Sequence, residues 1–145
     1  MKVYKPPYNH RFAAEILQSK GLYEEIINAV ETVERFDSKL LESHFGKLEW
    51  TPQYRLSIKK ETEKKWRYDA FKKGVALEIE KGGQAYRDFL KFMLGNNLGK
   101  VDVGVLICPY KESGTDGHPS SVTIRELNDL RNILSMPILV IGVLP

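Results

Sequence analysis

The sequence predicts an α/β fold, because strand-like apolar segments alternate with amphipathic helical segments through its second half. Residues 74–80, 101–108 and 138–144 have the apolar patterns of strands, and helical spacing occupies the segments between them. This β-α-β-α-β order predicts a sheet with at least some parallel pairing and with helices packed against it. A chain of 145 residues, 42% hydrophobic and 28% charged, has the size and composition of one compact domain, expected over residues 1–145.

The first half of the chain predicts helices followed by strands. Apolar residues recur at helical spacing from residue 11 to about residue 33, and Gly21 interrupts them, which indicates two short helices or one kinked helix. From residue 36 to residue 58 the pattern is mixed around Thr51-Pro52, and we expect two strands joined by a turn.

The strand over residues 74–80 has two very different faces. Period-two alternation places Val75, Leu77 and Ile79 on a face suited to a core. The opposite face carries Glu78 and Glu80 beside residues too small to fill the space above them. This strand is therefore the most informative segment for function.

Two helices are predicted after this strand. The first follows Gly82-Gly83 and stops near Gly95-Asn96-Asn97. The second begins with Thr123 and Glu126, which have the spacing of a capping box, and runs through Leu134. A polar loop is expected over residues 109–121, and the strand over residues 138–144 closes the sheet.

Composition excludes several classes of protein. The longest apolar run, residues 136–144, is less than half of the ~20 residues that span a bilayer, and the first residues lack the apolar stretch of a signal peptide. We therefore expect a cytoplasmic protein with no membrane partner. The single cysteine, Cys108, excludes an internal disulfide and a multi-cysteine zinc site, and its apolar surroundings predict a buried side chain.

Basic residues cluster around the two-faced strand and before it. The net charge is only +3, but nine basic residues lie between Arg55 and Lys81, which favours a polyanionic ligand. The alternative is a solvated helix or loop in which Glu61 and Glu63 pair with the lysines. The candidates for phosphate contacts are Lys59, Lys60, Lys64, Lys65, Lys72 and Lys73.

Three carboxylates can converge at the end of the two-faced strand. Asp69 precedes that strand closely enough to sit at the end of a neighbouring strand or turn and to approach Glu78 and Glu80. Packed carboxylates raise one another's pKa values, and a hard divalent cation such as Mg²⁺ or Mn²⁺ removes that cost. Such an ion polarises a phosphoryl oxygen and lowers the pKa of an attacking water. The alternative is a solvated sheet face whose carboxylates pair with lysines.

The spacing of these carboxylates resembles a nuclease motif. Asp69, eight intervening residues and Glu78-Ile79-Glu80 are similar to the Asp and Glu-x-Lys of metal-dependent nucleases with the restriction-endonuclease-like fold. More closely, the chain resembles the BglII and BamHI-type restriction endonucleases. Weaker similarities extend through most of the chain, at Tyr8-Asn9-His10, Glu15-Ile16-Leu17, Gln53-Tyr54, Ile58-Lys59, Lys65-Trp66, Arg67-Tyr68-Asp69 and Met136-Pro137-Ile138 through Gly142.

This resemblance implies a restriction-endonuclease-like core, a mixed β-sheet flanked by helices. It also implies Mg²⁺-dependent hydrolysis of phosphodiester bonds in double-stranded DNA, with Mn²⁺ as a substitute and a homodimer as one possible assembly. By the same resemblance Asp69 and Glu78 bind the metal ion, and Glu15 adds a carboxylate from an N-terminal helix. Glu80 stands where the general motif has lysine, and its implied role is to orient or deprotonate the attacking water.

Three alternatives remain open at this point. Glu80 cannot supply the positive charge of a lysine, so the chain could be a catalytically inactive DNA-binding or assembly module of the same fold. It could also be a Mg²⁺-dependent phosphohydrolase that acts on small nucleotides, since a fold alone does not fix a substrate. Glu15 could equally be a solvent-facing helix residue.

Overall fold

A computed structural model describes residues 1–4, 6–56, 66–81, 85–110 and 119–144 of the chain. Within these residues, strands and helices alternate from residue 75 onward, as the sequence predicts. The strands are β1 (Lys2–Val3), β2 (Tyr8–His10), β3 (Thr51–Arg55), β4 (Arg67–Lys72), β5 (Val75–Ile79), β6 (Val103–Pro109) and β7 (Ile138–Leu144). The helices are α1 (Ala13–Ser19), α2 (Tyr23–Thr32), α3 (Ser38–Lys47), α4 (Ala85–Asn97) and α5 (Pro119–Leu130).

The strands form one mixed sheet in the order β1-β7-β6-β5-β4-β3, with β2 also paired to β7. Strands β5, β6 and β7 are parallel, and α4 and α5 supply the connections between them. The pairs β3–β4 and β4–β5 are antiparallel, as are those of β1 and β2 with β7. The predicted α/β fold with a mixed sheet and flanking helices is confirmed.

Helices cover both faces of the sheet and create two cores. On one face α1, α2 and α3 pack against Val75, Leu77 and Ile79. On the other face α4 and α5 pack against β5, β6 and β7, and Phe89 and Phe92 are fully buried there. The expected open space above the small residues of β5 is therefore wrong, because α4 fills it with aromatic side chains.

Helices α1 and α2 confirm the prediction of two short helices, and the break falls at Gly21, whose φ is +70°. The expectation of two strands over residues 36–58 is only half right. Thr51–Arg55 is a strand, but residues 38–47 form α3. The Asp37 carboxylate accepts hydrogen bonds from the backbone N–H groups of Lys39 and Leu40, which is a helix cap that the mixed pattern concealed.

The end of α4 agrees with the prediction, whereas the bounds of α5 do not. Helix α4 ends at Asn97, within the predicted stop signal. Helix α5 starts at Pro119 and ends at Leu130, so Thr123 is a buried residue inside the helix and not its cap. A proline fits the first turn of a helix, because its missing N–H would have no partner there. In the part of the chain that the structure describes, no helix has both the length and the apolar character needed to cross a membrane.

Candidate active site

Strands β4 and β5 separate at one end of their hairpin and open a cleft. Their backbone pairing runs from Lys72↔Val75 to Ala70↔Leu77 and stops there. One position further along, the Asp69 carboxylate (Oδ2) accepts the hydrogen bond of the Ile79 backbone N–H at 2.8 Å. A side chain thus replaces a backbone acceptor where the ladder ends.

The cleft at this position has a volume of about 680 Å³. Strand β5 remains paired to β6 as far as Ile79, so the carboxyl end of β5 forms a fixed wall of the cleft. The structure brings Asp69, Glu78 and Glu80 together, and their catalytic roles stay predictions. The cleft is lined by Glu42, Gln53, Trp66, Arg67, Asp69, Glu78, Ile79, Glu80, Arg87, Asp88 and Lys91.

Glu78 is the deepest of the three predicted carboxylates, with 5% of its surface exposed. Its Oε1 accepts a hydrogen bond from the Lys91 ammonium, and both side chains are buried. Burial raises the pKa of Glu78 to about 9. The Lys91 charge opposes this rise in pKa, whereas the carboxylates of Asp69 and Asp88 add to it. The predicted alternative of a solvated carboxylate is therefore wrong for Glu78.

Asp88 is a second buried carboxylate that sequence reasoning missed. Its Oδ1 lies 3.1 Å from Lys91 Nζ, one turn away along α4. Burial raises the pKa of Asp88 to about 6, and hydrogen bonding to the Glu80 carboxylate contributes to the rise. Asp88 and Lys91 lie among Phe89 and Phe92 on the inner side of α4. Charged residues at that spacing in an otherwise apolar helix face were the available signal.

Glu42 on α3 also lines the cleft and was missed, because its segment was interpreted as a strand. Burial and the nearby Asp69 charge raise the pKa of Glu42. Gln53 Nε2 donates a hydrogen bond to Glu42 Oε2 at 3.3 Å. Gln53 has a φ of +49°, which is unusual for a residue other than glycine inside a strand. This conformation accompanies a side chain that contacts Glu42 at the cleft.

The structure does not bring Glu15 to the cleft. Glu15 is exposed on α1, and its carboxylate accepts a hydrogen bond from Asn9 Nδ2 at 2.8 Å, which is the first cause of its lowered pKa. Among the three N-terminal helices, α3 instead brings a carboxylate to the cleft, that of Glu42.

The predicted DNA-binding lysines fall into two groups. Lys59, Lys60, Lys64 and Lys65 lie outside the described residues. Lys72 bonds to Glu25 Oε1 at 2.9 Å and to the Leu48 carbonyl at 2.7 Å, so its charge is already used inside the protein. Lys73 is exposed at the β4–β5 turn, at the other end of the hairpin from Asp69. The basic side chains that line the cleft are instead Arg67, Arg87 and Lys91.

The chemistry of the donor set suits a hard divalent cation. Five carboxylates and three basic side chains line the cleft, so formal negative charge exceeds positive charge by two. Carboxylate oxygens are the ligands that Mg²⁺ and Mn²⁺ prefer. Among the described residues, however, no three His, Cys, Asp or Glu side chains stand in a ready metal-binding arrangement. Glu78 and Asp69 are held by Lys91 and by the backbone of Ile79, respectively.

Comparison with models of protein families identifies the family of the chain. A family model described as restriction endonuclease BglII/BglIII matches residues 7–143. The chain belongs to this family. The BglII/BglIII match covers all the described strands except β1 and the last residue of β7. No curated protein sequence matches the chain.

Two solved structures to which the chain is similar are both of restriction endonuclease BglII. The chain is similar to a crystal structure of restriction endonuclease BglII complexed with a DNA 16-mer, with a TM-score of 0.83 and 15% identity, covering 100% of this chain and 79% of that chain. It is also similar to free BglII, with a TM-score of 0.73 and 15% identity, covering 100% of this chain and 80% of that chain. The restriction-endonuclease-like core is thereby confirmed. BglII family membership and fold together support a DNA endonuclease.

Proposed function

We propose that this BglII-family chain is a Mg²⁺-dependent endonuclease that hydrolyses phosphodiester bonds of double-stranded DNA, as type II restriction enzymes do. The observation that supports it most is the cleft at the separated ends of β4 and β5, where Asp69, Glu78 and Glu80 meet. An enzyme of this kind would meet its DNA substrate inside the cell, so we also propose a cytoplasmic location.

The cleft carboxylates have distinct proposed roles. Asp69 and Glu78 would bind Mg²⁺, or Mn²⁺ as a substitute, and Glu42 would add the helix carboxylate that was expected from Glu15. The bound ion would polarise a phosphoryl oxygen and lower the pKa of a coordinated water. Glu80 is less buried than Glu78 and lies at the same cleft, where it would orient or deprotonate the attacking water.

Arginines at the rim of the cleft are the proposed phosphate contacts. Arg67 and Arg87 are exposed and line the cleft from β4 and from α4, on two different elements. A guanidinium group can donate two parallel hydrogen bonds to one phosphate. Lys59, Lys60, Lys64 and Lys65 remain predicted phosphate contacts. Lys72 is not proposed as a phosphate contact, because its ammonium is paired with Glu25.

We further propose that two copies of the chain pair, so that both DNA strands are cut. Tyr86 and Leu90 lie one turn apart on α4 and are 49% and 47% exposed. Apolar side chains in that arrangement can pack against the same face of a second copy. Sedimentation of the purified protein would show a dimer, and Leu90→Glu would shift it to monomer. A wild-type monomer on DNA would contradict this assembly.

Cleavage of supercoiled plasmid tests the proposed function. Wild-type protein is compared with Asp69→Asn and Glu78→Gln in Mg²⁺, in Mn²⁺ and in EDTA. We expect discrete linear fragments with either ion, none in EDTA, and loss of cleavage in both variants. Asp129→Asn is the matched control, since Asp129 is an exposed carboxylate on α5 that does not line the cleft.

Other outcomes point to the other functions. Folded wild-type protein that binds duplex DNA but never cuts it would indicate the inactive DNA-binding module. Hydrolysis of nucleotides without duplex binding would indicate the small-molecule phosphohydrolase. Cleavage that persists in Glu78→Gln would contradict the assigned metal ligands.

A further inference from the structure

Strand β5 brings carboxylates to the cleft but no positive charge of its own. Glu80 occupies the place where the similar nuclease motif has lysine. Among the cleft-lining side chains that the structure describes, the cations are Arg67, Arg87 and Lys91. Arg67 and Arg87 are exposed, whereas Lys91 is 7% exposed. A buried, fixed cation therefore comes from helix α4.

Lys91 contacts three acceptors at the base of the cleft. Its ammonium donates to Glu78 Oε1, lies 3.1 Å from Asp88 Oδ1 and lies 3.4 Å from the Arg67 carbonyl oxygen. Glu78 is the residue through which β5 would bind a metal ion. Lys91 thus binds one of the carboxylate oxygens that would coordinate a divalent cation.

The backbone of α4 is held so that this contact is fixed. The buried Tyr68 hydroxyl donates a hydrogen bond to the Lys91 carbonyl oxygen at 2.6 Å. Gly95, one turn later, leaves room for that hydroxyl, because a Cβ at this position would lie 2.3 Å from the Tyr68 oxygen. Strand β4 and helix α4 are therefore joined at the residue that carries the ammonium.

We propose that Lys91 is the built-in counter-ion of this cleft. It holds Glu78 while no metal is bound, competes with the divalent cation for that carboxylate, and provides the fixed positive charge that position 80 lacks. This inference rests on the proposed nuclease function. It assigns Lys91 as a positioning residue that acts through Glu78, from a helix and not from the strand of the motif.

Two opposite effects follow from this role. Removing the ammonium takes a hydrogen-bond donor from Glu78 and a repelling charge from the site. A doubly charged cation gains more from that loss than a competing proton does, so the cation should bind more tightly. Removing the ammonium also takes a buried, fixed cation from the base of a cleft in which negative charge would develop on the phosphate, so cleavage should slow. A side chain with a merely structural role would weaken both properties together.

Titration with Mn²⁺ alone, followed by single-turnover DNA cleavage, tests the proposal. In Lys91→Met, the Kd for Mn²⁺ measured by calorimetry should fall about tenfold. The cleavage rate at saturating Mn²⁺ should fall about a hundredfold, with duplex affinity in Ca²⁺ unchanged. Lys91→Arg keeps the charge and should retain the wild-type Kd for Mn²⁺. Lys39→Met, at an exposed position of α3, is the matched control.

A second variant keeps the test decisive if Lys91→Met does not fold. Lys91→Met combined with Asp88→Asn removes one carboxylate together with the ammonium, and it should bind Mn²⁺ more tightly than Asp88→Asn alone. Unchanged or weaker Mn²⁺ binding in every folded variant would overturn the proposal, and so would an unchanged cleavage rate. Wild-type protein that binds no Mn²⁺ would overturn the proposed function and this inference together.

Discussion

Glu78 is a carboxyl group at a position where burial favours an apolar side chain. Its neighbour two residues back, Ala76, is completely buried in the core formed with α4. Burial disfavours the charged form of Glu78, and one lysine is shared between Glu78 and Asp88. A carboxylate that we propose as a cation ligand is thus kept at this position at a cost in stability.

Replacing Glu78 by glutamine is expected to stabilise the metal-free protein. The pKa of Glu78 is about 9 in the folded protein and near 4.5 in the unfolded chain. The folded state therefore holds a proton that the unfolded state has lost between those pH values, and stability falls as the pH rises from about 4.5 to about 9. Glu78→Gln has no such loss. Calorimetry in EDTA should show a Tm advantage for the variant that widens from pH 5 to pH 9.

The Lys91 ammonium keeps a charged partner in the Glu78→Gln variant. Asp88 Oδ1 lies 3.1 Å from Lys91 Nζ, so the substitution leaves no buried lysine charge unpaired. A Tm of Glu78→Gln that stays below the wild-type value at every pH would show that the bond between Glu78 and Lys91 outweighs the cost of burying the carboxylate.

The carboxylates proposed as catalytic could be located from sequence, and their partners could not. Asp69 and Glu78 follow a spacing that depends on two adjacent antiparallel strands, which local patterns reveal. Asp88 and Lys91 reach the same cleft from α4, and Glu42 reaches it from α3. Their positions depend on how helices dock on the sheet, which the spacing of apolar residues does not specify.

At the scale of secondary-structure elements, β3 has an irregular backbone at a residue that lines the cleft. Gln53 lies between the paired positions Pro52 and Tyr54, and Asp69 lies between their partners Ala70 and Tyr68. The positive φ of Gln53 interrupts the regular strand where it faces the cleft. Strained backbone of this kind persists where surrounding contacts hold it in place.

Gln53→Gly is expected to separate the role of this residue from stability. Glycine removes a backbone cost of about 1 kcal/mol, which offsets the loss of the hydrogen bond to Glu42 of about the same size. The free energy of unfolding in urea should change by less than ~1 kcal/mol, while Mn²⁺ binding weakens because Glu42 is no longer held. Gln53→Asn tolerates the same φ and should behave likewise, because its side chain is shorter. A large loss of stability in both variants would show that Gln53 acts mainly through its packing and not through Glu42.

Replacing Gly95 of helix α4 by alanine is expected to lower stability, which is the opposite of the usual effect of this substitution in a helix. Alanine normally stabilises a helix interior by about 1 kcal/mol relative to glycine. At Gly95, however, a Cβ would lie 2.3 Å from the Tyr68 hydroxyl oxygen and 2.5 Å from Val101 Cγ2. We expect Gly95→Ala to destabilise the protein by about 1–3 kcal/mol in urea unfolding. Gly46→Ala on α3, where nothing lies within 4 Å of the new Cβ, should stabilise it.

Sequence patterns predicted the later elements better than the earlier ones. Strands β5, β6 and β7 are apolar and lie inside the sheet, so composition marks them. Helix α3 is short and has only Leu41 and Phe45 as fully buried apolar residues, and its start depends on a side-chain cap. A weak apolar pattern therefore concealed the helix that brings Glu42 to the cleft.

On the scale of the whole molecule, the two cores are built from hydrophobic side chains. The buried charged residues in the described part of the chain, Glu78, Asp88 and Lys91, line the cleft. The chain has a net charge of +3, although the cleft is formally negative. DNA must then be attracted by basic groups around the cleft, and each phosphate contact releases counter-ions. Arg67→Ala and Arg87→Ala should each reduce the slope of log Kd against log salt by about 1, in duplex binding with Ca²⁺. A slope that stays unchanged in the double variant would place the DNA elsewhere.

Strand β7 has a further consequence for how the protein avoids self-association. Its sequence, Ile138 to Leu144, is apolar and carries no charge, which is the composition of segments that assemble into amyloid-like stacks. One edge of β7 is paired to β6, and β1 and β2 pair with the other. The two very short strands β1 and β2 thus cover the edge of an aggregation-prone strand. Deletion of residues 1–10 should produce light-scattering aggregates at concentrations where the intact chain stays clear.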